Sequence, residues 1–312
     1  MKRLILHITL MVAGSCAFAQ LGTPMLQYYG NQMVSNPAYA GKHDALSATL
    51  SVRKQWFQIP GSPMLVSLNA HQPFKGSRHA WGGIIQNESH GALNHIVGYA
   101  NYAYYLWLGK AELRLGLQAG LQNHTVNWGK IEHIKDDDDP FFGTRPSNRT
   151  NFNVNVGAIY TTFDYYVGLS IKHLTPPKFN FEKNRPSEKS WHPRSPTQFL
   201  LHGGTDFRVD RDWSIRPELF LHYTFTSPLS VNTGVQANYQ NQYFFGVNFQ
   251  TVQRSLAFSV RGFVLENLQA SYSYGLFYNV LKSARYGGTH EISLIYRYKP
   301  TNPFTQPLRF FD

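Results

Sequence analysis

From about Ala45 to Pro300 the chain alternates apolar residues with small or polar ones, and after its first 20 residues no apolar run is long enough for a spanning helix. The clearest stretch interleaves Leu113, Leu115, Leu117, Ala119 and Leu121 with Arg114, Gly116, Gln118, Gly120 and Gln122. A period of two puts one set on each face of a strand, whereas a helix would mix them. The same division sets Val154, Val156, Ala158 and Tyr160 against Asn151, Asn153, Asn155 and Gly157, and Leu256, Phe258 and Val260 against Ser255, Ser259 and Arg261. In a further segment Val231, Val235, Ala237 and Tyr239 oppose Asn232, Gly234, Gln236 and Asn238.

Period alone does not separate a soluble two-faced sheet from a membrane barrel, whose apolar face meets lipid and whose polar face lines a lumen. Strand number and loop phase do. Alternation and turn signals predict strands near 45–55, 63–73, 79–88, 93–107, 111–124, 151–163 and 165–174. They continue near 197–209, 212–226, 229–240, 243–252, 255–265, 268–279 and 288–299. That is about fourteen, an even number of suitable length for an all-β, transmembrane antiparallel β-barrel with periplasmic N- and C-termini. The two longest connections, 125–150 and 175–196, follow odd-numbered strands, as external loops must in that arrangement, while Phe163-Asp164 and Val209 to Asp212 form tight turns after even ones. Segment 93–107 is too aromatic to phase, and Pro217 predicts a bulge because it lacks a ladder donor.

Met1 to Ala19 combines Lys2 and Arg3, an apolar stretch from Leu4 to Ala13, and Ala17-Phe18-Ala19 before Gln20, the form of a secretory signal. A lipoprotein cleavage site at Ala13 to Cys16 competes, though Ala13 stands where that site prefers Leu. The expected organisation is a signal peptide over 1–19, a periplasmic N-terminal segment over 20–44, an outer-membrane barrel over 45–300 and a periplasmic tail over 301–312. Cys16 is the only cysteine, so the chain after the signal has no thiol for a disulfide or a metal site. Its 15% aromatic content suits two interfacial girdles. The formal charge of +11 reads as solvated loops and a basic lumen, with no nucleic acid expected beyond a secretory signal.

Candidate chemistry is confined to loops. Asp136, Asp137, Asp138 and Asp139 offer hard oxygen donors for calcium, but four consecutive aspartates lack the alternate spacing and glycine turn of a calcium loop, and a solvated loop is the simpler reading. A proline-rich loop presents Lys178, Phe179, Phe181, Arg185, Trp191 and Arg194, which suit docking of a protein or an acidic glycan, or folding over the barrel mouth. The 13 histidines raise a rim hydrolase, yet no G-x-S-x-G elbow, H-E-x-x-H helix or phosphate loop is present. His71, His173 and His222 read as strand-end or lumen residues, no cofactor is implied, and no enzyme is expected. Gly116 and Gly120 fall on the inner face, where glycine leaves room for bulky lumen side chains.

Before the first strand stands Asn36-Pro37-Ala38-Tyr39-Ala40-Gly41, followed by Arg53, Gln55, Trp56, Gly61-Ser62-Pro63, His71 and Pro73. Together with Tyr166 to Ser170, Asp212-Trp213, Tyr272 to Tyr274 and Gly288 to Ile292, this order resembles the PorP/SprF family of type IX secretion system outer-membrane proteins of Bacteroidota. The resemblance implies a non-enzymatic barrel that supports export or surface anchoring of a large secreted protein, such as an adhesin of gliding bacteria, through its C-terminal sorting domain. Implied partners are that cargo, other type IX components and outer-membrane lipid. An independent diffusion channel or small-molecule transporter is the alternative reading, and a soluble secreted β-protein a third.

Overall fold

The computed structural model describes residues 25–43, 45–131, 146–176, 195–277 and 287–298. Its strands are β1 (Leu46–Gln55), β2 (Met64–Pro73), β3 (His79–His90), β4 (Leu93–Leu108), β5 (Ala111–Val126), β6 (Ser147–Thr161) and β7 (Tyr165–Lys172). After them come β8 (Gln198–Thr205, resuming over Phe207–Arg208), β9 (Trp213–Thr224), β10 (Ser227–Tyr239), β11 (Tyr243–Gln250), β12 (Ser255–Leu265), β13 (Leu268–Phe277) and β14 (Thr289–Tyr298). Both pieces of β8 pair with β9, so fourteen strands form the wall. Every strand runs antiparallel to its neighbours, and β14 closes on β1 with Leu50 opposite Leu294 and Arg53 opposite Glu291. Closure leaves no sheet edge, the condition for a sheet to stand in lipid.

The connections fall into two classes by end. At the end where the chain enters β1 and leaves β14, the turns are tight, such as Gly109–Lys110, 162–164 and 240–242. The long connections 127–146, 173–197 and 278–288 all lie at the opposite end. At Pro217 there is no bulge. The β8–β9 register is the same on both sides, but the ladder is broken at Asp206, next to the position where proline offers no N–H. An Arg216–Asp206 ion pair of 2.8 Å spans the gap, and the register shift of β9 lies instead between His222 and Thr224.

The two faces divide as the alternation requires. Arg114, Gln118 and Gln122 of β5 are buried inside, while Leu115, Leu117 and Leu121 are 46, 47 and 56% exposed on the outside. The structure also phases β4: Val97, Asn101 and Ala103 are buried within, and Ile96 and Tyr102 face out. So much exposed aliphatic and aromatic surface around a closed wall is a lipid-facing belt, and the architecture is that of a bacterial outer-membrane barrel. Leu117→Arg, mid-strand on this belt, should therefore destabilise the barrel in lipid by about 2–4 kcal/mol, whereas a polar change at an inward position should cost less. Urea titration of the refolded variant in bilayers measures it.

The lead-in to the barrel departs from expectation. The segment read as a periplasmic stretch before the barrel runs, over residues 25–43, through the lumen itself. Leu26, Met33, Ala38, Tyr39 and Ala40 are all buried there. The physical reason lies on the wall: Ala80, Ile84, Ala103 and Ile159 point inward despite being apolar, and they form one core cluster with Met33, Ala38, Tyr39 and Ala40. An inward apolar patch in a polar lumen needs a covering segment, and burial against it compensates the ordering of the chain.

Candidate functional site

The lumenal segment, the plug, is built from three single turns of 3₁₀ helix, Tyr28–Gly30, Gln32–Val34 and Pro37–Tyr39. Such short turns leave most backbone groups unpaired, so the wall must satisfy them. Glu291 of β14 accepts from the N–H groups of Leu26 at 2.7 Å and Gln27 at 3.2 Å. Ser170 Oγ donates to Ser35 O at 2.7 Å, Lys172 Nζ to Val34 O at 3.2 Å, and Arg114 Nη1 to Ala40 O at 3.2 Å. His71 Nδ1 accepts from the Gly41 N–H at 3.1 Å. The plug is thus tied to β1's neighbours β2 and β14 and to β5 and β7, on both sides of the ring.

The Asn36 to Gly41 motif forms the tightest part of this seat. Asn36 is fully buried; its Oδ1 caps the Pro37 turn by accepting from Ala38 N–H at 3.0 Å. Its Nδ2 donates to Ala158 O at 3.1 Å and Leu169 O at 3.2 Å and lies 3.2 Å from His202 Nε2. Pro37 stands at the first helical position, where its missing donor costs nothing. Tyr39 stacks on His202 with ring centroids 5.7 Å apart. Gly41 has φ +72°, and a β-carbon there would collide with Ala80.

Inward glycines complete the fit. A β-carbon on Gly116 would overlap the backbone of Pro37 and Ala38, and one on Gly157 would overlap the Asn36 amide. Gly116 therefore makes room for the plug backbone, not for a bulky lumen side chain as the sequence reading held. At Gly120 that reading holds, since a β-carbon would meet the Tyr99 ring as well as the β4 backbone.

Two separate cavities flank the plug. One, of about 190 Å³ on the long-connection side, is lined by Leu65, Glu88, His95, Lys172, Phe220 and His222 among others. The other, of about 60 Å³ on the short-turn side, is lined by Asn31, His43, Arg216, Glu218, Arg261 and Arg297 among others. Each has space for several waters but not for a folded chain. Among the described residues, no three His, Cys, Asp or Glu side chains converge as metal ligands.

The candidate residues singled out from the sequence, Asp136, Asp137, Asp138 and Asp139 and the loop residues Lys178, Phe179, Phe181, Arg185, Trp191 and Arg194, lie outside the described residues, as do the expected signal peptide and tail. His71, His173 and His222 are lumen or strand-end residues as expected, and His290 is on a strand beside Tyr272 and Tyr274. Sequence reasoning missed the plug. The available signals were the inward apolar residues Ala80, Ile84, Ala103 and Ile159 and the acid Glu291 on a lumenal face.

In fold the barrel is similar to a Pseudomonas aeruginosa FadL homologue, 12% identical, covering 90% of this chain and 99% of that one with a TM-score of 0.52. It is also similar to the Ralstonia pickettii toluene transporter TbuX, 11% identical, covering 86% and 93% with a TM-score of 0.53. At such identities the likeness is one of fold. No curated protein matches the sequence. The family model for the type IX secretion system membrane protein PorP/SprF matches residues 17–296, and with nearly the whole chain inside that match the chain belongs to the PorP/SprF family.

Proposed function

We propose that this barrel serves type IX secretion as a plugged docking component, supporting export or surface anchoring of a large secreted protein, such as an adhesin, by engaging its C-terminal sorting domain. The observation that carries the choice over a diffusion channel is the plug: Asn36 of the plug and Glu291 of the wall alone join the two by five hydrogen-bond contacts on two sides of the ring. A lumen filled in this way suits a barrel that acts through its rims and loops. Both chain ends face the periplasm in this reading, so the connections 127–146 and 173–197 face outward. Lys178, Phe179, Phe181, Arg185, Trp191 and Arg194 are then the contacts for cargo, with prolines limiting the ordering cost on docking. The barrel binds and does not catalyse.

Deleting the gene and quantifying surface and medium proteins tests this. One large protein with a sorting domain should fall at least tenfold at the surface, while bulk outer-membrane proteins stay constant; unchanged secretion removes the proposal. Replacing Arg185, Trp191 and Arg194 together by alanine should reproduce the defect with barrel levels unchanged. Small-molecule transport, as in the toluene transporter TbuX, is the competing function, and uptake of toluene by proteoliposomes with normal secretion in the deletion strain would favour it.

A further inference from the structure

The long-connection cavity, between the plug and the wall, joins two chemistries in one lining. One part is apolar, with Val34 of the plug facing Leu65, Leu200 and Phe220 of the wall. There the Tyr28 and Phe220 rings meet with centroids 4.9 Å apart, and Leu200 completes a buried cluster with them. The other part is polar and only partly engaged. Gln86 donates to Ser67 Oγ at 3.1 Å and Lys172 Nζ to Val34 O at 3.2 Å, so these two are occupied within the protein.

Three further lining groups are different. His173 Nδ1, His222 Nε2 and Asn232 Oδ1 are enclosed, yet none has a hydrogen-bond partner among the described residues. Asn232 is only 3% exposed, so its oxygen is a buried acceptor without a donor. Asn232 on β10 stands opposite Phe220 of β9, and His222 lies two residues along the same inward face of β9. Two orphaned polar groups therefore converge beside an aromatic one. Enclosed polar atoms left unmatched are costly, and they mark where an outside group with complementary atoms belongs.

Size and atom type set the class. The cavity measures about 190 Å³, and an apolar cavity of about 150 Å³ is enough to bind benzene. One ring with a small substituent fits, while an acyl chain, a nucleotide or an oligosaccharide does not. A hydroxyl is both donor and acceptor, so it can donate to Asn232 Oδ1 while accepting from an Nε2–H tautomer of His222. We infer that this cavity is a binding site for a hydroxylated single-ring compound of the phenol type, its ring against Leu200 and Phe220 and its hydroxyl between Asn232 and His222. His173 Nδ1 accommodates a further hydroxyl on a larger member of the class. Bound there, the ligand touches plug and wall together, away from the Asn36 seat.

Isothermal titration calorimetry on the full chain in lipid nanodiscs tests the site, with phenol and toluene titrated in turn and the heats of empty nanodiscs subtracted. The two probes share a ring and differ in the hydroxyl. Saturable one-to-one binding of phenol is expected, at least tenfold tighter than that of toluene, because toluene leaves the Asn232 oxygen unmatched. Asn232→Leu and His222→Leu should each weaken phenol at least tenfold while toluene binds as well as before or better. Lys75→Gln, at an exposed turn on the short-turn side, should change neither. Heats equal to those of empty nanodiscs would mean that the cavity holds water only, and they overturn the site. Phenol bound no more tightly than toluene overturns it as well, as does equal loss of both probes in the two variants. Asn232 is buried in the wall, so its variant is read only where heat-modifiable mobility on gels matches the parent; His222→Leu stands as the second variant. Secretion does not enter this readout, so its outcome is separate from that of the docking role.

Discussion

Removal of residues 25–43 from the otherwise complete chain is expected to turn a barrel of low conductance into a wide, stable pore. Eight-stranded barrels are filled by their own side chains, whereas barrels of sixteen or more strands leave an aqueous channel. Fourteen strands stand near the second limit, and here the middle of the lumen is occupied by the plug. With the plug gone, the wall presents Asn153, Asn155, Gln118, Gln122, Ser67 and Ser273, which water readily solvates. The wall itself should survive, because its ladder closes without the plug: β1 pairs with β14 through ten consecutive residue pairs. In planar bilayers the deletion variant should conduct at least tenfold more than the intact barrel, with heat-modifiable mobility on gels confirming a folded wall. Equal conductance in the two proteins would mean that the plug does not control the lumen.

The wall was legible in the sequence because its period is simple. Each strand repeats every two residues, each face keeps one chemistry, and the tight turns carry recognisable residues; thirteen of the fourteen predicted spans agree with the observed ones to within three residues at either end. The exception is β6, which starts at Ser147 instead of 151, because Asn148 and Arg149 continue the ladder opposite Thr125 and His124 although they break the apolar pattern. The plug was not legible because nothing local distinguishes it. Its turns are three residues long, and its burial depends on wall residues that lie far away in sequence, 265 positions away for Leu26 and Glu291. Pro217 marks the same limit: proline predicts a lost ladder bond, but whether a bulge or a gap results depends on Asp206 of the adjacent strand meeting Arg216. The family motif was visible as a string, and only its position under Gly116 and Gly157 explains its content.

Asn36→Leu should unseat the plug while leaving the wall intact. Leucine approximates the side chain's bulk but neither donates nor accepts, so four interactions are lost together: the cap on Ala38 N–H, the donations to Ala158 O and Leu169 O, and the contact with His202. Unmade partners of a buried group cost about 1–3 kcal/mol each, and the two carbonyls and the Ala38 N–H together amount to roughly 3–9 kcal/mol. At about 1.4 kcal/mol per tenfold, the seated fraction of the plug falls relative to the unseated by about two to six orders of magnitude. Glu291, at the other end of the plug, still holds Leu26 and Gln27, so the segment swings from that tether and is not released entirely. Hydrogen exchange separates these ends: protection at Ala38, Tyr39 and Gly41 should collapse, protection at Leu26 and Gln27 should fall less, and the ladder amides of β1 and β14 should be unchanged. Glu291→Gln is the mirror experiment, since it keeps one acceptor for the same two N–H groups and should affect Leu26 and Gln27 first. Uniform loss of protection across plug and wall in Asn36→Leu would show that Asn36 holds the barrel together rather than the plug in it.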